Sequence, residues 1–278
     1  MLDVSVVIPT RNAERLIDDC LASVFASQPR EVIVVDGMSS DRTLEIARRY
    51  PVTILSDDGN GLPAARLVGT QAAASARVVL IDADVVLPAG ALSALLEEFE
   101  QGGYTALQAG LASVSGPGYW GQALVNHHRT GRSKRWFGLV ATIFVRDSLL
   151  QHGFDPRFLS GEDIDLRWRL QQAGARIGVS TQTVVQHRFA VDDFEFAKGQ
   201  WLADGHGLGR MVGKHGLRSL ALLGLPLAAA VRGVALCLGR LQPRWVPYYA
   251  AFLLFNYVGM LSELGDSWKR QARRGPTR

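Results

Sequence analysis

Arg77-Val78-Val79-Leu80-Ile81-Asp82-Ala83-Asp84 is the stretch on which the fold turns. A short apolar run fit for a buried strand ends abruptly in two carboxylates two residues apart. Working outward, the same pattern recurs toward the start of the chain. Val4 to Ile8 reads as a strand ended by Pro9, and Glu31 to Val35 and Val52 to Leu55 as two more. Between them, Leu16, Ile17, Leu21, Val24 and Phe25 have helical spacing within Ala13–Ala26, and Thr43–Tyr50 and Ala64–Ser75 read as further helices. Short buried strands alternating with helices predict an α/β fold, with a mostly parallel, Rossmann-like sheet covered by helices on both faces. In such sheets ligands bind beyond the carboxyl ends of the strands.

Composition narrows the classes. The 278 residues are 47% apolar and 20% charged, which excludes a disordered, collagen-like or fully polytopic membrane chain. Thirty Lys and Arg against 26 Asp and Glu leave +4, too small an excess to argue for nucleic acid. Cys20 and Cys237 stand far apart without paired spacing, as buried thiols in a reducing compartment. The opening residues run straight into the first strand, so the expectation is a cytoplasmic start. From Ser219 to Ser262 the only charged residues are Arg232, Arg240 and Arg244. That shift predicts a domain over 1–213 and an apolar helical tail over 214–278.

Polar residues gather after the strands: Pro9-Thr10-Arg11-Asn12, then Asp36-Gly37-Met38-Ser39-Ser40-Asp41, then Asp82-Ala83-Asp84. Ser39, Ser40 and Asp41 serve equally well as helix caps. For Asp82 and Asp84 an extended chain would point both carboxylates to one side, where they repel unless a cation lies between them. A hard divalent ion, Mg or Mn, suits such oxygens and completes its shell on substrate phosphates.

Residues 4–12, 34–43 and 80–84, with Phe137-Gly138-Leu139-Val140-Ala141-Thr142, Gly153-Phe154-Asp155, Gly161-Glu162-Asp163-Ile164-Asp165-Leu166-Arg167-Trp168 and the later His187, resemble the family 2 glycosyltransferases of GT-A fold. The resemblance covers roughly the first 190 residues, with the motifs in family order. It implies a nucleoside-diphosphate sugar as donor. Pro9, Thr10 and Arg11 would frame the nucleotide pocket, and Asp36 would bind the base. Arg66 would approach base or diphosphate, and Asp82 would lie near the ribose and metal. Ala83, Gly138 and Glu162 would also line the nucleotide-sugar site. Asp84 would bind the metal with His187 as a further ligand, and Asp163 would be the catalytic base of an inverting, single-sugar transfer. The chain departs from the family pattern at Gly37, often a second Asp, and at Leu67, often Asn.

Two rivals share some of these residues. Asp82-Ala83-Asp84-Val85-Val86 also fits a haloacid-dehalogenase-like phosphohydrolase with Asp82 as nucleophile, although Asp36 and Arg66 then have no role. A non-catalytic membrane scaffold would need the tail alone. No Gly-x-Gly-x-x-Gly follows the first strand, against a dinucleotide-binding dehydrogenase.

In the tail, Ser219–Val231 is too short to cross a bilayer and Trp245–Ser262 is borderline. If both crossed, Arg240 and Arg244 would sit in the outer loop, against the orientation rule. The expectation is therefore helices lying in the cytoplasmic leaflet. Trp245, Tyr248 and Tyr249 would sit at the interface, and Lys269, Arg270, Arg273 and Arg274 on anionic headgroups. Packing against the catalytic domain or a second copy of the chain, as a homodimer, is the alternative. The apolar tail also suggests a lipid-linked acceptor. Trp120, Trp136 and Trp168 are candidates to stack on sugar rings, with buried packing the simpler role.

Overall fold

A computed structural model describes residues 1–130, 137–158, 160–189 and 191–274, with side chains to residue 266. Trp136 and the side chains of Lys269, Arg270, Arg273 and Arg274 lie outside the described residues. The chain forms two compact units, one of residues 1–114, 133–157 and 163–190, the other of residues 115–132, 158–162 and 191–278.

Among the described residues, the first unit holds an eight-stranded sheet. Its strands are β1 (Leu2–Thr10), β2 (Pro29–Asp36), β3 (Thr53–Ser56), β4 (Arg77–Ile81), β5 (Val85–Val86), β6 (Ala106–Val114), β7 (Ala141–Val145) and β8 (Ile177–Arg188). They lie in the order β3-β2-β1-β4-β7-β6-β8-β5. The half built from β1 to β4 is parallel, as the alternation predicts. Beyond it β7 runs antiparallel to both β4 and β6, while β6 and β8 are again parallel. The sheet is therefore mixed. An apolar run reveals that a strand exists, not its direction.

Successive residues of β1 serve opposite faces, as the strand period requires. Val4, Val6 and Ile8 pack with Ile17, Cys20, Leu21 and Val24 of α1 (Ile17–Ala26), beside α2 (Thr43–Ala47) and α4 (Ala91–Gln101). Val7 faces the other layer, made from α3 (Leu62–Ala72), α6 (Arg146–His152) and α7 (Glu162–Gln172). Helix α1 starts four residues later than its spacing predicts. The Ala13 and Glu14 amides are instead donated to the Thr43 and Asp41 side chains, which knits the loop after β1 to the loop after β2. Helix α2 stops at Ala47, and the last turn tightens to i→i+3 bonds from Arg49 and Tyr50.

The second unit is helical: α5 (Tyr119–Thr130), α8 (Phe194–His215), a 3₁₀ stretch (Gly216–Gly224), α9 (Leu225–Gly239) and α10 (Val246–Arg274). Asp193 caps α8 by accepting from the Phe196 amide at 2.8 Å. The compositional boundary expected at 213 thus falls at the end of a helix that packs with α10 inside this unit.

Trp245, Tyr248 and Tyr249, expected at a membrane interface, are instead buried at 5%, 0% and 2% exposure. They turn inward with Trp201, Phe252 and Met260, which places Leu254, Val258 and Leu261 on the outward stripe of α10. Trp120 packs on Phe194 and Trp201.

Candidate active site

The site is built from the ends of β1, β2, β3 and β4 and from the strand that returns beside them. Thr10 and Asp36 are register partners at the ends of β1 and β2, and the Gly37 amide donates to the Thr10 carbonyl at 2.8 Å. Asp36 is buried. One of its oxygens accepts the Ser39 amide at 3.0 Å, and the other has no partner. Pro9 is buried in β1, and Arg11 is exposed beside Gly37. A Cβ built at Gly37 would meet only ordinary contacts, with the Thr10 carbonyl and the Arg11 side chain at 3.5–3.6 Å.

Strain gathers on this edge. Among the described residues six non-glycines have positive φ. Three of these, Asn12, Met38 and Asp58, follow β1, β2 and β3, and a fourth, Leu139, precedes β7. Each such conformation costs on the order of 1–3 kcal/mol and persists only where surrounding structure enforces it.

Asp82 and Asp84 do not lie on an extended strand. The Val85 amide donates to the Asp82 carbonyl at 3.0 Å, closing a tight turn that sends the two carboxylates to different partners. Arg66, 2% exposed on α3, donates through one nitrogen to both oxygens of Asp82 at 2.9 and 3.3 Å. Burial is the largest influence on Asp82 and raises its pKa. Arg66 opposes that and the Asp84 charge reinforces it, leaving the carboxyl above its ordinary value. Asp84 instead meets His187. The pairing of β5 with β8 sets Val85 opposite His187 and brings its Nε2 to 3.2 Å from one Asp84 oxygen. Burial alone would lower the imidazole's pKa. The hydrogen bond and charge of Asp84, with the Asp82 charge behind them, overcome it and hold His187 above its usual value.

Asp84 Oδ1 is buried without a partner, as are Thr10 Oγ1 and Asp36 Oδ1. Buried polar atoms rarely stay unpaired, so three orphans on one edge point to a polar ligand. The Asp84 oxygen and the His187 nitrogen are hard and borderline donors suited to Mg²⁺ or Mn²⁺. Among the described residues no group of three His, Cys, Asp or Glu side chains could hold a metal by itself. Two protein donors with ligand oxygens completing the shell is the arrangement such ions use with phosphates.

Ala83 packs into the core, so it would meet a ligand through its backbone. The Gly138 amide donates to Gln108 Oε1 at 2.5 Å, and the Val140 carbonyl accepts the Asp82 amide at 2.9 Å. Leu139, fully buried at φ 65°, is held between these two bonds. Glu162 and Asp163 open α7. Asp163 shares a stripe with Leu166 and Leu170, both buried in the same layer as Leu80 and Ala65, so that stripe of the helix faces the sheet. Further back, Asp165 pairs with Arg169 at 2.9 Å, and the Arg169 guanidinium donates to the carbonyls of His152 and Gly153.

Asp57 and Gln108 also shape the site, although the sequence does not single them out. Asp57, 3% exposed after β3, accepts the Gly59 and Gly61 amides at 2.8 and 2.9 Å and shapes the loop that starts the Arg66 helix. Its signal was present in Asp57-Asp58-Gly59-Asn60-Gly61, a run of turn formers. Gln108 lies inside an apolar strand and gives no local signal.

A family model described as "Glycosyl transferase family 2" matches residues 5–148. A protein of Staphylococcus aureus strain RF122 named 4,4'-diaponeurosporenoate glycosyltransferase is 33% identical over 118 residues, 40% of this chain and 30% of the relative's length. The chain therefore matches under a third of the length of such relatives. Among solved structures, mannosyltransferase PcManGT from Pyrobaculum calidifontis, in complex with GDP-Man and Mn²⁺, matches 93% of this chain and 87% of that one. Its TM-score is 0.64 at 23% identity. S. aureus TarS 1-349 in complex with UDP covers 98% of this chain and 92% of its own, with TM-score 0.54 and 20% identity. At such identities the likeness shows the fold, which is GT-A. The family match does not favour the phosphohydrolase reading.

Proposed function

The chain belongs to glycosyl transferase family 2, and from that premise we propose a metal-dependent, inverting transfer of one sugar from a nucleoside diphosphate to an acceptor hydroxyl. The observation that supports it is the edge on which Asp84 keeps a buried, unpartnered oxygen beside His187 while Thr10 and Asp36 keep two more. Thr10, Asp36 and the backbone at Ala83 and Gly138 would receive the nucleotide sugar, with Pro9 and Arg11 framing it and Glu162 beside the base. Arg66 holds Asp82 in place as a ribose contact.

Asp84 and His187 would hold Mg²⁺ or Mn²⁺, which when bound neutralises charge on a departing diphosphate. Asp163 would accept the proton of the acceptor hydroxyl as its oxygen bonds the anomeric carbon and the bond from that carbon to the diphosphate breaks. One displacement inverts the anomeric centre. The first turn of α7 suits this role, because the helix N-terminus favours an ionised carboxylate.

The second unit supports an acceptor carried on a lipid at the cytoplasmic membrane face. Leu227, Val231 and Leu238 on α9 and Leu254, Val258 and Leu261 on α10 point outward at 46–65% exposure. Residues 205–262 contain no Asp or Glu. Within Phe194–Gly239 one window has mean hydropathy 2.0 with 22% of it buried, long and apolar enough to span a membrane by length and composition. We favour helices lying in the leaflet, with Arg218, Arg232, Arg240 and Arg244 toward anionic headgroups.

The test is release of nucleoside diphosphate from UDP-, GDP- and dTDP-sugars with and without Mn²⁺. Metal-dependent release with one of them, lost in Asp84→Asn, is expected. Metal-independent release, or phosphate release from simple phosphoesters alone, contradicts the proposal. For the membrane part, the chain should sediment with phosphatidylglycerol vesicles and not with phosphatidylcholine ones. Equal sedimentation of a Leu254→Glu/Val258→Glu variant contradicts it.

A further inference from the structure

Within residues 106–111 of β6, Gln108 is the one polar side chain, and it is 1% exposed. Its neighbours Leu107 and Ala109 pack in one layer, and the strand period turns Gln108 to the other, with Ala106. Burying an amide there is costly unless its polar atoms are engaged. Opposite it on β7 stands Thr142, whose hydroxyl oxygen is buried and has no partner among the described residues. Gln108 Oε1 does not take that hydroxyl. It accepts the Gly138 amide instead, at 2.5 Å.

The residues after Gly138 lead to the acidic turn. Leu139, fully buried, is held at φ +65°, a left-handed conformation that persists in a leucine only where its surroundings enforce it. The next carbonyl, of Val140, accepts the Asp82 amide at 2.9 Å and carries the β4–β7 ladder one step beyond Ile81 and Ala141. On the far side of the turn the Asp84 carbonyl accepts the Arg188 amide, also at 2.9 Å. The backbone that carries Asp82 and Asp84 is thus moored at both ends. One mooring continues the regular pairing of β5 with β8. The other hangs on a strained residue with Gln108 behind it.

We infer that Gln108 is a positioning residue for the acidic turn. Its carboxamide holds residues 138–140 so that Leu139 keeps its left-handed backbone and the Val140 carbonyl meets Asp82. That sets where Asp84 presents its unpartnered oxygen beside His187. The inference rests on the reading of Asp84 and His187 as the pair that takes the divalent ion.

Gln108→Met keeps the length of the side chain and removes the acceptor, and two measurements on the full chain test it. In the metal-free protein, hydrogen exchange at the Asp82 amide, followed by NMR, should quicken by roughly fivefold to tenfold, the factor that one net hydrogen bond supplies. Titration calorimetry with UDP, GDP and dTDP, each with and without Mn²⁺, then gives the factor by which the metal tightens nucleotide binding. Losing a group that orients a metal ligand costs roughly 10–100-fold in metal affinity, and Gln108 acts through the backbone. The metal factor should therefore fall about tenfold while metal-free affinity stays within about twofold. Thr142→Val, which removes the unpartnered hydroxyl on the neighbouring strand, should change neither. Unchanged exchange, an unchanged metal factor, or an equal loss with and without Mn²⁺ overturns the inference. Should Gln108→Met fail to fold, Gln108→Asn, which draws the acceptor back by one methylene, takes its place under the same results. Asp84→Asn separates the two layers. If it abolishes the metal factor and Gln108→Met keeps it, only this inference falls; if Asp84→Asn keeps the full factor, the metal reading falls and this inference with it.

Discussion

Replacing Arg66 with Met exposes how the acidic turn is held. The Arg66 side chain is 2% exposed and reaches both oxygens of Asp82, itself 22% exposed. Met keeps much of the buried stem and removes the charge, leaving Asp82 facing Asp84 with its largest opposing influence gone. Breaking a buried ion pair from one side costs about 3–5 kcal/mol. Because a fifth of the Asp82 side chain still meets solvent, the lower end applies, about 3 kcal/mol. For a chain of this size that is roughly 6–12 °C in the unfolding midpoint, read by calorimetry or near-ultraviolet circular dichroism. Arg66→Lys should lose less, since the ammonium keeps the charge without the fork. The double variant Arg66→Met/Asp82→Asn should recover at least half of the loss, because no buried charge is then stranded. A midpoint for Arg66→Met within 2 °C of wild type, or a double variant worse than the sum of its singles, would refute the ion-pair argument.

Asp163→Asn should lower kcat by about 10²–10⁴ with nucleotide affinity unchanged, measured by turnover beside calorimetric titration; a parallel loss of affinity would place Asp163 in binding instead. His187→Ala should weaken Mn²⁺-dependent binding of the nucleoside diphosphate by tenfold or more and leave metal-free binding alone. His127, packed among Tyr248, Tyr249 and Phe252, has its pKa pushed down to about 4 by burial, with Arg232 adding to the effect. Its folded value lies below the unfolded one near 6.5, so stability is complete above pH 6.5. It declines as pH falls toward 4, by at most about 3 kcal/mol. In His127→Phe, denaturant midpoints should lose that share of their slope over this window, and an identical slope removes the argument.

The parallel half of the sheet was legible because its strands are short apolar runs separated by helical spacing, and the carboxyl-edge residues followed from that. Arg66 and Asp82 were both singled out, yet their pairing was not visible. It depends on a turn at Asp82–Val85 that strips the two carboxylates of the shared orientation an extended chain gives them. His187 lies about a hundred residues from Asp84 and becomes its neighbour only through the register of β5 on β8. Gln108 was hidden for a related reason, being one polar residue in a buried strand whose partner is a loop amide. In the tail, composition revealed apolar helices but not which stripe turns inward. The aromatic residues Tyr248 and Tyr249 took the interior and the leucines the surface, because Gly205, Gly209 and Gly259 let α8 and α10 approach closely and Gly233 of α9 leaves room for the Tyr249 ring.

Thermal unfolding in the presence of UDP, GDP and dTDP, each titrated with Mn²⁺, reaches the centre of the account directly. One nucleotide at a hundred times its dissociation constant should stabilise the folded chain by about 2.7 kcal/mol, with the metal required and Asp84→Asn unresponsive. If no nucleoside diphosphate shifts the midpoint, or if Asp84→Asn responds to Mn²⁺ as fully as wild type does, the acidic turn and His187 do not form a nucleotide-sugar site.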